Sequence, residues 1–298
     1  MDREYIYDVN GLNGVEKTVA KAKRVLEILG HDSPNLKGIV DPDAKIVGMA
    51  SFLGRNPGID DLIEYSDQLR AAFYLYQGSA YRDINPFLRK NHGLNRSGNP
   101  TFKEMPTNSL DIEAYSDDDF DFGKMPEYTF RMVDTIDALD LLIESQKPLE
   151  EDTVLYHGGG ISMYKDIEGV NEIEDLITLN YSGDSHRVTQ YGYLSTTLNI
   201  SGRFCDESPV ITAISVPKGT HILGPFGGEG EILLGRGYKL EFVKSEIMDG
   251  KVFVYTKLHE REKIVTRSED EIQITDEVDA VDAVLKDNEK DYSHHQGL

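Results

Sequence analysis

The sequence predicts an α+β protein, with helices first and strands afterwards. Three observations carry that expectation. Before Pro148, apolar residues recur at helical spacing. After Pro148, the chain breaks into short runs rich in β-branched and aromatic residues, bounded by Gly, Pro or Asp. Little helical pattern separates those runs after residue 190, so the strands are expected to pair in a mainly antiparallel way.

Each element follows from local pattern. Val15, Val19, Ala22, Leu26 and Ile28 place an amphipathic helix over residues 15–29, and Gly30 suits its end. "GHDSPNLKGIVDPD" and "FLGRNPG" are turn-rich connections. Ile59, Leu62, Ile63, Leu69, Phe73 and Tyr76 mark a second helical face, with Asp60 and Asp61 in the first turn where the helix dipole favours them. Gly78 interrupts it, and "AYRDINPFLRKN" reads as a short helix with Pro86 near its start. Residues 91–127 read as loop. Their acidic run "SDDDFDF" lacks the spaced ligands and central glycine of a calcium site, so it reads as solvated. Phe130, Val133, Ile136, Leu139 and Leu142 give a helix over 128–145. The expected strands are "TVLYH", "GYLSTTL", "VITAISV", "EILL", "YKLEFV" and "KVFVYTKL". From Ser268 the chain is an acidic tail, read as an appendage or docking segment.

Composition excludes several classes. The formal charge is −22, which argues against a surface that coats nucleic acid, since phosphate binding needs clustered Lys and Arg. The single cysteine, Cys205, allows no intramolecular disulfide and no cysteine-based zinc site, and it is expected in the core. The polar start "MDREYIYDVNGLNG" has no secretory pattern, and no window approaches the ~18 apolar residues of a membrane span. A soluble cytoplasmic protein, away from membranes, is expected. "HEREK" at 259–263 has lysine where a zinc-protease helix needs its second histidine, and phosphate-loop and serine-elbow motifs are absent.

Three stretches remain as candidates for chemistry. "VLYHGGG" ends a strand at His157, with Gly158, Gly159 and Gly160 allowing close approach to the backbone. In "YGYLSTTL", Ser195, Thr196 and Thr197 interrupt an apolar strand. In "GGEGEILLGRGYKLEF", Glu229 and Glu231 are one residue apart before a buried run. Side chains two apart in a strand share a face, so these carboxylates would lie roughly 6.5–7 Å apart at Cα, and like charges that close need compensation.

In this order, "LYHG", "YLSTTL" and "GEGEILLGRGYKLEFV" resemble the motifs of mono-ADP-ribosyltransferases of the bacterial-toxin and bacteriophage type. "YSDQLRAAFYLYQGSAYRDINPFLRKN" and "IDALDLLIESQKPLEEDTVLYHG" are similar to that family's helices. The resemblance covers about residues 58–267. It implies an ADP-ribosyltransferase-like fold, with N-terminal helices packed on a two-sheet β core that encloses a cleft for nicotinamide adenine dinucleotide (NAD). It divides the chain into an N-terminal helical extension (1–57), a catalytic domain (58–267) and the acidic tail (268–298). The extension is left two roles, bracing the helices or binding a target.

The resemblance also implies roles. Glu231 is the catalytic carboxylate, Ser195 orients it, and Gly158 offers backbone groups to the nicotinamide. His157 and Thr196 join Ser195 and Glu231 in holding NAD. Glu229 and Phe226, the latter in the loop before the pair, face the target. The family usually has arginine at position 157, whereas a diphtheria-toxin-like branch has histidine. Arg89, Arg131 and Arg187 are candidates for the missing charge. The expected reaction transfers ADP-ribose from NAD to arginine on a host or target protein, without a metal. The alternatives are an NAD glycohydrolase and a non-catalytic binding or virion protein that keeps the scaffold.

Overall fold

Strand pairing organises the half of the chain after Pro148. The computed structural model describes residues 6–31, 69, 72–73, 75–90, 126–165, 167, 169–179, 187–226, 230–259 and 261. The expected helix from Ile59 lies mostly outside the described residues, as do the acidic loop and the tail. The chain divides into two compact units, one of residues 1–61 and 146–261, the other of 62–145 and 262–298.

The first unit holds the strands β1 (Ile6–Tyr7), β2 (Thr153–Gly159), β3 (Arg187–Gln190), β4 (Leu194–Thr196), β5 (Val210–Val216), β6 (Ile222–Phe226), β7 (Glu231–Leu234), β8 (Tyr238–Met248) and β9 (Lys251–His259). The larger sheet runs β1-β8-β9-β5-β2, with β3 also paired to β8, and the smaller runs β4-β7-β6. Pairing is mainly antiparallel, as expected; β1–β8 and β5–β9 are parallel. The edges join where Tyr156 and Thr197 exchange backbone hydrogen bonds of 2.8 and 2.9 Å. Strands β1, β3 and β6 were not anticipated. β1 and β3 are short and β6 contains Gly and Pro, which defeats a propensity reading.

Alternation along the strands gives the larger sheet two apolar faces. Val154, Tyr156, Ile211, Ala213, Phe253 and Tyr255 form one core with α1 (Gly14–Leu29), through Val25, Leu26 and Leu29. Leu155, Ile214, Leu240 and Leu258 form the other, against Leu194, Ile232 and Leu234 of the smaller sheet. On that second face, Val210, Phe242, Val252 and Val254 also cover residues 161–179, including the short helix α4 (Asp175–Thr178). Each fully buried aliphatic side chain contributes about 1.5–3 kcal/mol.

α1 begins at a capping box. Asn13 accepts from Glu16 N at 3.0 Å, and Glu16 accepts from Asn13 N at 3.1 Å. It ends at Gly30, as expected, where the backbone takes φ 74°, a left-handed geometry that suits glycine. The helix is tied to β8 by charge as well as by its apolar stripe. Glu246, only 1% exposed, accepts from Arg24 Nε and Nη2 at 3.0 Å each, from Tyr255 at 2.8 Å and from Lys244 at 3.0 Å. Lys17 and Lys21 meet Asp249, in the β8–β9 turn, at 2.8 and 2.6 Å. The N-terminal helix thus braces the strands of its own unit.

In the second unit, α2 (Tyr81–Lys90) follows a π-helical turn over Tyr76–Ala80, and α3 spans Pro126–Ser145. Pro86 lies inside α2 rather than near its start. Ile84, Phe87, Leu88, Ile136, Leu139 and Leu142 are buried. Among the described residues, no helix is long and apolar enough to cross a membrane.

Candidate active site

The site begins at Gly224. Its φ of 115° suits glycine, and a Cβ there would lie 2.4 Å from the Glu231 carbonyl oxygen. That close approach accompanies a register shift between Leu223 and Phe226 on β6, after which Phe226 faces Glu231 across the pair. Gly230, with φ 62°, then turns the chain into β7. Sequence reading passed over Gly224, whose signal was a glycine inside an apolar run.

β7 presents its first residue, Glu231, toward β4. Ser195 pairs with Leu233, two residues from Glu231, so Ser195 and Glu231 emerge on one face of the smaller sheet. Ser195 Oγ donates to Glu231 Oε1 at 2.5 Å. A charge-assisted bond that short fixes the rotamer of the carboxylate. The opposite face carries Leu194, Ile232 and Leu234 into the core.

Alternation corrects the expectation for Thr196. Its side chain points to the core face, it is 1% exposed, and its Oγ1 donates to the Ile232 carbonyl at 2.7 Å. The hydroxyl's proton is given to the smaller sheet. Phe226 also needs correction. It belongs to β6 rather than to a loop and is 4% exposed, so its ring anchors the strand and presents little surface to a target. Glu229 lies outside the described residues, and with it the geometry of the Glu229–Glu231 pair.

His157 reaches the site from the edge of the larger sheet. Its Nδ1 is 2.7 Å from the Ser195 carbonyl oxygen. That oxygen only accepts, so Nδ1 carries the proton and donates. Ser195 therefore ties the site together twice, its hydroxyl to Glu231 and its carbonyl to His157. Gly159, two residues on, keeps space beside the ring's other nitrogen: a Cβ there would lie 2.9 Å from Nε2. Gly158 is required for packing. A Cβ there would be 2.1 Å from the Phe204 carbonyl oxygen and 2.7 Å from Ser208 Oγ. Phe204 belongs to the short helix α5 (Arg203–Asp206), and its ring meets the His157 imidazole edge-on at 5.8 Å. Sequence reading singled out neither Phe204 nor Ser208, because their relation to β2 is purely tertiary.

Arg187 donates to Glu241 at 2.8 Å, and that hydrogen bond holds the Glu241 carboxyl below its ordinary range. Arg89 is exposed on α2, in the other unit, and the Arg131 side chain lies outside the described residues. Cys205 is buried as expected, and burial pushes its thiol up to about 12, the reverse of a reactive thiolate. No group of three or more His, Cys, Asp or Glu among the described residues is arranged to hold a metal.

Residues 54–275 match the family model of the ADP-ribosyltransferase exoenzymes. The match spans most of the chain, and the chain belongs to that family. It is an NAD-dependent ADP-ribosyltransferase with the ADP-ribosyltransferase-like α+β fold, and NAD is its co-substrate. No curated protein matches the sequence. Among solved structures, the chain is similar to C3stau2 from S. aureus with NAD, at 18% identity and TM-score 0.46, over 72% of this chain and 95% of that one. It is also similar to the Clostridium limosum C3 exoenzyme, at 16% identity and TM-score 0.44, over 66% and 87%. Plx2a, an ADP-ribosyltransferase toxin from Paenibacillus larvae, is similar at 19% identity and TM-score 0.45, over 67% and 89%.

Proposed function

We propose that the protein transfers ADP-ribose from NAD to an arginine side chain of a target protein, using Glu231 as the catalytic carboxylate. The observation that carries this reading is the 2.5 Å bond from Ser195 Oγ to Glu231 Oε1, beside a histidine anchored on the Ser195 carbonyl.

The bond between the ribose carbon and the nicotinamide nitrogen breaks, and its electron pair leaves with nicotinamide. Positive charge grows on the ribose, as in glycoside hydrolysis. A carboxylate already held in place stabilises that charge without reorganising. Ser195 supplies the holding, and Glu231 also accepts from a ribose hydroxyl. The carboxamide of nicotinamide takes backbone groups at Gly158. His157 commits Nδ1 to the Ser195 carbonyl, so at most one ring nitrogen could meet a ligand. One nitrogen cannot reproduce the two-pronged grip of an arginine on phosphate oxygens, so a hydroxyl-type contact to NAD suits it better.

Arginine as acceptor is supported by Glu229, the first carboxylate of the Glu-x-Glu stretch. A guanidinium has a pKa above 12 and attacks only as a proton leaves. A second carboxylate pairs with it and takes that proton as the new carbon–nitrogen bond forms.

The test is incubation of cell lysate with labelled NAD, followed by mass spectrometry of the modified band. Modified arginine is expected for the native chain and none for Glu231→Gln. Release of nicotinamide with no labelled protein makes the protein a glycohydrolase. Failure to bind NAD in calorimetry makes it a binding protein on the same scaffold.

A further inference from the structure

Residues 197–208 leave β4, turn, and return against the glycines of β2. The turn is built from its own side chains. Thr197 Oγ1 accepts from Asn199 N at 3.1 Å, and Asn199 Oδ1 accepts from Ser201 N at 3.0 Å. It delivers α5, whose Phe204 carbonyl oxygen occupies the space a Cβ on Gly158 would need, and whose Phe204 ring meets His157. A helix of four residues does not hold its own shape in water, so tertiary contacts must fix it.

Two side chains outside the reacting groups do so. Thr18 on α1, 4% exposed, has its Oγ1 2.7 Å from Ser201 Oγ. Thr18 already donates to the Gly14 carbonyl at 3.0 Å, so Ser201 donates to Thr18. Lys251, at the start of β9, donates from Nζ to the Cys205 carbonyl at 2.8 Å and to the Asp206 carbonyl. These are the last carbonyls of α5, where the helix dipole favours a cation. Between them, the Cys205 side chain is buried in the core beneath α1. α1, residues 14–29, lies outside the span 54–275 that matches the family.

We propose that Thr18 and Lys251 are positioning residues for the transfer reaction: together they hold residues 199–208 so that Phe204 fixes His157 and Gly158 in the geometry that receives NAD. The proposal rests on the reading of His157 and Gly158 as NAD contacts. It gives α1 and the start of β9 a catalytic consequence without contact to the reacting atoms.

The experiment uses the full chain with Thr18→Val, Lys251→Met and Lys251→Arg. Nicotinamide release is followed against NAD concentration, and the protein labelled with 15N-histidine is examined by NMR. Thr18→Val and Lys251→Met are expected to raise KM for NAD by about five- to tenfold with kcat within about twofold, the signature of lost binding geometry. Lys251→Arg is expected to restore KM. In both impaired variants the His157 signals are expected to lose the pattern of a protonated Nδ1. A lowered melting temperature with unchanged KM and an unchanged histidine spectrum overturns the proposal. An arginine variant as impaired as the methionine one overturns the part assigned to Lys251. If the native protein turns over no NAD, the functional reading fails, and the histidine spectra still decide whether Thr18 and Lys251 position His157.

Discussion

Ser195 and Glu231 lie on neighbouring strands of the smaller sheet, and the hydroxyl of one donates to the carboxylate of the other at 2.5 Å. Ser195→Ala removes that bond while leaving the strand intact. Turnover of NAD, measured as kcat/KM for nicotinamide release, is expected to fall about 10- to 100-fold, the range for a lost charge-assisted hydrogen bond of 1.5–3 kcal/mol. Glu231→Gln is expected to lose about 1000-fold or more, since it removes the charge itself. Equal rates for native protein and Glu231→Gln would remove Glu231 from the mechanism.

The two glycines after His157 are expected to respond differently to alanine. At Gly158 the new Cβ meets backbone, the Phe204 carbonyl at 2.1 Å, which cannot swing aside. Gly158→Ala is expected to cost about 1–3 kcal/mol of stability, read as a lower denaturation midpoint. At Gly159 the Cβ meets only the tip of the His157 ring, at 2.9 Å from Nε2. Gly159→Ala is expected to keep the native midpoint and to weaken NAD binding in calorimetry. Unchanged NAD affinity in Gly159→Ala would show that His157 does not contact NAD.

Gly224→Ala combines a φ of 115° with a contact of 2.4 Å to the Glu231 carbonyl. It is expected to move the start of β7 and to reduce nicotinamide release at least as much as Ser195→Ala, because it displaces the carboxylate rather than freeing it. Activity equal to native would mean that the β6–β7 register does not set the carboxylate's position.

Glu246 anchors α1 from inside the sheet. In Glu246→Gln the Arg24 guanidinium keeps its place with the exposed Glu27 carboxylate, at 3.0 Å, as its remaining counter-charge. Loss of a fully buried pair costs about 3–5 kcal/mol, and Arg24, whose side chain is 22% exposed, recovers part of this from water. A cost of about 2 kcal/mol and a melting temperature lower by about 4–8 °C are expected in calorimetry. A variant that melts with the native protein would show that the apolar stripe alone holds α1.

The same anchors give acid sensitivity with a defined sign. Burial alone would raise the Glu246 carboxyl, but hydrogen bonds from Arg24, Tyr255 and Lys244 outweigh it and hold it below its ordinary 4.5. Burial likewise opposes, and Lys17 and Lys21 overcome it, at Asp249, held below 3.8. Folded-state values below unfolded ones mean stabilisation that is complete above the ordinary values and lost as pH falls through the lowered ones. The fluorescence-monitored midpoint is expected to drop steeply as pH falls below about pH 4, with a shallower drop in Glu246→Gln. Identical acid profiles for native and variant protein would refute this assignment.

Much of the fold was legible in the sequence, because period and composition are local. The helix over 15–29, the run "VITAISV" and the strand "EILL" follow from spacing that any window of the chain displays. The pairing of His157, Ser195 and Glu231 was legible only through a resemblance in motif order. Composition and spacing left Ser195 and Thr196 equivalent. The structure separates them, since one points toward Glu231 and the other toward the Ile232 carbonyl. The phase of a strand relative to its neighbours depends on register, and the register here is shifted at Gly224.

The sequence by itself determined the α+β class, the order of the motifs, the end of α1 at Gly30 and the presence of two carboxylates ahead of a buried strand. Each depends on residues close together in the chain. Only the tertiary structure decided which face each strand side chain takes, that Phe204 stands behind Gly158 and His157, and that Thr18 and Lys251 hold it there. Those relations join residues separated by dozens to hundreds of positions, and the free energy that fixes them comes from burial and hydrogen bonding across sheets, which no local pattern encodes.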